Sequence, residues 1–124
     1  MSVKSRFKVA FDNVESNVGD ICKKMMLDLD AEIVAGTPVD KGRARSNWVP
    51  AIGEPSALVT DAKDLSGSDT TQRAQKMHAE SPNFSIMFLS NNLPYIQPLE
   101  DGHSQQAPEG WIKLAVQRIA SIFK

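Results

Sequence analysis

The chain has 124 residues, the length of one domain, and its 14 Lys+Arg against 15 Asp+Glu leave a formal net charge of −1. That balance argues against a dedicated nucleic-acid binder, which needs a cationic surplus for phosphate contacts. A single cysteine, Cys22, excludes an internal disulfide framework and fits a reducing compartment. The opening MSVKSRFKVAFDN is broken by charges every few residues, so the sequence predicts neither a signal peptide nor a membrane span there. An intracellular globular domain is the expectation.

The first predicted element has the clearest periodicity. Val3, Phe7, Phe11, Val14, Val18, Ile21, Met25, Leu29 and Ile33 recur at steps of three and four, as in an amphipathic helix. Gly36 supplies a C-terminal cap and Pro38 a stop. A helix over residues 3–35 would run about 50 Å, whereas a compact domain of this size is roughly 35 Å across. The helix should therefore overhang its domain, or bend at Gly19. An overhanging apolar stripe needs a cover, which makes Phe7, Phe11, Val14 and Val18 candidates for self-association.

A turn-rich segment, Thr37 to Trp48, follows, with Gly42 suited to a positive φ after Asp40 and Lys41. Of the four segments 1–35, 36–53, 54–80 and 81–124, only 36–53 has a basic excess, from Lys41, Arg43 and Arg45, a local patch. Residues 46–52 read as a strand, with Pro50 placing it at an edge or a bulge. Residues 56–82 read as a loop-rich insertion with room for flexibility. Within it Ser68 or Asp69 could cap a short helix over residues 70–79, expected to be peripheral because Ala74 and Met77 are nearly all it could bury. Residues 84–90 read as a central strand, apolar on both faces. Asn91-Asn92 signals a turn, and residues 94–101 a short helix ended by Gly102. Residues 110–123 form a second amphipathic helix with Trp111, Leu114, Ala115, Ile119 and Ile122 on one face, and Glu109 suited to its N-terminal dipole.

Residue patterns for chemistry are sparse. Cys22, His78 and His103 are scattered over three elements without metal-ligand spacing, so they read as a core cysteine and two solvent histidines. Glu100, Asp101, His103 and Ser104 cluster in sequence, but neighbours along a chain rarely form a catalytic triad, and a polar loop is the plainer reading. Glycine spacing matches no phosphate-binding loop. The sequence predicts no cofactor, no metal site and no enzyme. Phe84 and Phe88 lack interleaved bases, so they read as core and not as a stacking platform.

Two segments carry a family resemblance. Thr37-Pro-Val-Asp-Lys-Gly-Arg-Ala-Arg-Ser-Asn-Trp48 is similar to the "TPVDTGRLRxSW" segment of tailed-bacteriophage neck and tail-completion proteins, the small head–tail joining proteins also called minor tail components. The stretch from Asn91 to Gly110 resembles that family's "N-x-x-Y-x-x-x-L-E-x-G-x-S-x-x-A-P-x-G", which precedes a final helix. Together the two segments cover about a quarter of the chain, in the family's order. Lys41 stands where a Thr is common, Asp101 follows Glu100 where an aromatic or small residue often stands, and residues 56–80 match nothing in the pattern.

The resemblance implies one α+β domain over residues 1–124, with a long N-terminal helix and a C-terminal helix packed on a small, mostly antiparallel sheet. It implies a structural protein of the virion, made and assembled in the host cytoplasm and acting as a ring at the head–tail junction. Six or twelve copies would surround the DNA channel, contacting connector, tail-terminator or tail-tube proteins, with no membrane and no specific DNA binding. Asp40, Gly42, Arg43, Arg45 and Trp48 would belong to one conformationally fixed loop, and Tyr95, Leu99, Glu100 and Gly102 would anchor a second. Tyr95 and Leu99, one helical turn apart, could bury together. Glu100 is a candidate acceptor for Arg43 or Arg45, joining the loops; alternatively the charges are solvated or face the lumen. The competing reading is a small bacterial binding module that oligomerises through its long helix.

Overall fold

The computed structural model describes residues 3–39, 42–101 and 110–122, with side chains from residue 17 onward. The chain is α+β. Helix α1 (Val3–Gly36) leads, followed by a single helical turn, α2 (Arg43–Ser46), and strand β1 (Trp48–Ile52). Helix α3 (Ser68–Ala79), strand β2 (Met87–Asn91), the short α4 (Ile96–Glu100) and α5 (Trp111–Ile122) complete it.

Helix α1 stops where the Gly36 and Pro38 signals place its end. The Thr37 hydroxyl donates to the Ile33 carbonyl at 2.7 Å, satisfying an acceptor in the last turn. Gly36 is also a close-approach position, because a Cβ there would stand 2.7 Å from the Trp111 ring. The core gathers on this end of the helix: Ile33 and Val34 pack with Trp48, Trp111 and Ala115, and Leu29, Leu89, Ile96, Leu99 and Ile112 close around them. This cluster joins α1, β1, α4 and α5, and its burial is the main apolar contribution to stability.

The sheet has two antiparallel strands, with Trp48 opposite Asn91, Pro50 opposite Leu89 and Ile52 opposite Met87. Every strand is thus an edge strand, which accommodates Pro50 and its missing N–H. The expected central strand over residues 84–90 is corrected: pairing starts at Met87, while Phe84 and Ile86 lie exposed. Two strands offer no interior position where both faces could be buried. Phe84 has a φ of 63°, unusual for a bulky residue, so it breaks the extended run before β2 begins.

Helix α3 is not peripheral. It packs against both α1 and β1, burying Thr70, Ala74 and His78 at i, i+4 and i+8. That stripe is partly polar, which is why apolar periodicity underrates it. Helix α5 lies on α1 through Trp111, Ala115 and Ile119, and an Arg118–Glu32 ion pair at 2.6 Å flanks the contact. Leu114 and Ile122, expected on the same buried face, are exposed. Leu114 lies about 100° around the helix from the centre of the buried row, and Ile122 lies in the last turn.

Candidate assembly site

The 37–48 segment is a hydrogen-bonding hub built around Arg45. Its guanidinium donates to the carbonyls of Thr37, Leu65 and Ala35, each at 2.9 Å. Planar donors in a fixed fork suit three carbonyls converging from α1's end and from residue 65. Gly42 makes this convergence possible. Its φ is 80°, and a Cβ there would meet the Asp64 backbone at 2.8 Å. The Trp48 indole N–H donates to the Thr37 hydroxyl at 2.8 Å, and the Trp111 indole reaches the Ile33 carbonyl at 3.3 Å.

The hub also fastens the segment that follows β1. Asn47 donates to the carbonyls of Arg43 and Thr60 and accepts from the Thr60 N–H. Ser46 Oγ accepts from the Asp64 N–H at 2.7 Å. Asp64 in turn accepts from the N–H groups of Gly67 and Thr70 and from the Thr70 hydroxyl, capping α3. Burial opposes its ionisation, and these bonds outweigh that, holding the carboxyl below its ordinary value. Residues 60–70 are thus tied to the hub, and α3 is part of the packed body.

The proposed Arg–Glu100 link is corrected as well. Arg45 is occupied by carbonyls, and Arg43 meets Asp61 at 3.4 Å on the surface. Glu100 instead accepts from the Ile112 N–H at 3.0 Å, so it serves the N-terminus of α5. Asn91 joins the two resembling segments by donating to the Ala44 carbonyl, while Asn92 donates to the Ser56 carbonyl beyond β1. Leu99 packs on the core, whereas Tyr95 remains exposed, so the two do not bury together. Asp40, Gly102, His103, Ser104 and Glu109, and the side chains of Phe7, Phe11 and Val14, lie outside the described residues.

The predicted roles of Cys22 and His78 are reversed: Cys22 is exposed and His78 is fully buried. His78 Nδ1 lies 2.6 Å from Asp30 Oδ2, and Nε2 lies 2.9 Å from the Phe88 carbonyl. One buried side chain thereby links α3 to α1 and β2. A carbonyl only accepts, so Nε2 carries a proton, and a second proton sits between Nδ1 and Oδ2. Burial pulls the imidazolium down, but Asp30 with the Phe88 and Ala51 carbonyls outweighs it, and the His78 pKa lies above its ordinary value. Burial pushes Asp30 up, against the pull of His78. The sequence did carry a signal for this pair, since Asp30 falls on the apolar flank of α1 between Met26 and Ile33–Val34.

What the body leaves uncovered is apolar. Val18 and Ile21 on the α1 stripe are 39% and 50% exposed, and Leu58, Val59 and Leu65 stand out from the 56–67 segment. Among the described residues no group of acidic, His and Cys side chains is arranged to hold a metal, and no helix is long and apolar enough to cross a membrane. No protein-family model, curated protein or solved structure matches the chain.

Proposed function

We propose that this chain is a structural subunit of a tailed-phage head–tail junction, assembling as a ring that completes or joins the tail around the DNA channel. The observation that carries the reading is the uncovered stripe of α1. The helix runs 34 residues, about 51 Å, and Val18 and Ile21 on its apolar side face solvent, whereas Leu29 and Ile33 farther along join the core. An apolar stripe left open on a long helix fits a surface that a neighbouring subunit covers.

Three further features support the same reading. The described residues of the resembling 37–48 segment form a hub of hydrogen bonds, which suits a subunit that must hold its shape while DNA passes. The α+β architecture agrees with what the resemblance implies. A net charge of −1 suits a lumen that lets DNA slide without holding it.

The test is location. Purified particles should contain the chain in six or twelve copies, and gold-labelled antibody should mark the point where head meets tail. Particles free of the chain, or label spread along the tail or over the head, would remove the proposal. A stable dimer in the cell without any association with particles would favour the bacterial binding module.

A further inference from the structure

An apolar groove of about 570 Å³ opens between β1, the 56–62 segment and α3. Val49, Ile52, Leu58, Val59 and Met77 line it, and Leu58 is 68% exposed. Its outer wall is held by polar ties. Thr60 is bonded to Asn47, and Asn92 donates to the carbonyls of Ser56 and Leu58 at 2.8 and 3.2 Å. The groove is therefore built before anything enters it, with apolar side chains turned to water along a fixed wall.

The N-terminal half of α1 has the properties of its occupant. Phe7, Phe11, Val14 and Val18 advance by four, three and four positions, the anchor spacing of a helix that lies in an apolar groove. Charge agrees. The first eleven residues carry Lys4, Arg6 and Lys8 and no acid, with Asp12 and Glu15 following, whereas Asp61 stands in the groove's outer segment between Thr60 and Ala62, and Glu54 lies just before that segment. Arg73, the base lining the groove, turns to the Ser46 carbonyl. Arg43 meets Asp61 yet leaves that carboxylate 98% exposed, free to face a second cation. Opposite charge along two apolar surfaces fixes register as well as attraction.

We infer that the N-terminal half of α1 from one copy of this chain docks in the groove of the next copy. Helix on one side and groove on the other is a heterologous contact, which generates rings when the rotation closes. The inference rests on the ring reading above and names the contact that would build the ring.

Two experiments test it, both under conditions where the chain assembles. In a Cys22→Ser background, one chain carries Phe11→Cys and another Val59→Cys. On mixing and oxidation they should give a disulfide-linked dimer that neither gives alone, and a chain with both substitutions should give a ladder of linked copies. Separately, Leu58→Asp with Val59→Asp should weaken assembly at least tenfold by sedimentation, while circular dichroism and melting show the fold intact, since both side chains are exposed. Linkage confined to single chains overturns the inference, and so does an assembly that forms normally without the mixed disulfide. In both cases a chain still found at the head–tail junction leaves the ring reading standing. Loss of assembly in the Asp variant without the mixed disulfide also overturns it, because the groove then meets something other than α1.

Discussion

Arg45 shows how much a residue's chemistry depends on partners that leave no mark in a sequence. The family resemblance implies a conformationally fixed loop there, but the acceptors of Arg45 are backbone carbonyls, which every residue carries. A charged donor on three carbonyls is a strong, directional tie, so Arg45→Ala should cost about 2–3 kcal/mol in urea denaturation. Because Glu100 bonds to Ile112 and not to an arginine, Glu100→Arg should fail to rescue Arg45→Glu; recovery of stability in the double variant would contradict this assignment. His78 makes the complementary case. The folded chain holds its proton more tightly than the unfolded chain, whose value is the ordinary one, so this contribution is full below that value and fades as the pH rises through the raised one. Asp30, also raised, works in the same direction, since ionising a buried carboxyl costs stability. Melting temperature should therefore fall as the pH rises above about 6.5, the ordinary imidazole value, and much of that slope should vanish in His78→Gln. That variant should itself be less stable by roughly 3–5 kcal/mol, because it strands Asp30 in the interior.

At the scale of elements, helices with apolar stripes were easy to place and the rest was not. The ends of α1 and α5 fall within a residue or two of their sequence signals because caps, stops and periodicity agree. Helix α3 escaped its proper weight because its buried stripe reads Thr70, Ala74, His78, and a threonine and a histidine do not register as core until Asp64 and Asp30 are seen beside them. Strand β2 was shifted because Phe84 and Ile86 look like core residues, yet a two-stranded sheet has nowhere to bury them. Asp64 holds two elements at once, bonding Ser46 through its N–H and the start of α3 through its carboxylate. Asp64→Ala should cost about 1–2 kcal/mol and speed amide exchange at Gly67 and Thr70 more than elsewhere in α3. Unchanged exchange at those two amides would show that the cap does not hold the helix. On α1 the exposed pair behaves differently: Val18→Asp with Ile21→Asp should leave melting nearly unchanged and reduce assembly, measured by sedimentation. A large drop in melting with no loss of assembly would mean the stripe serves the subunit's own fold.

For the whole molecule, the packed body and the long helix divide the work. Polar ties from Arg45, Asn47, Asp64, Asn91 and Asn92 hold loops and strands in one shape, while Val18 and Ile21 on α1 and apolar side chains along the groove remain exposed. The near-zero net charge that argues against specific DNA binding is equally compatible with a ring around moving DNA. The central claim is that such a ring is needed where head meets tail, and electron microscopy of particles assembled without the chain tests it most directly. The account predicts filled heads and separate tails that join once purified chain is added back. Heads joined normally to tails in its absence would contradict it.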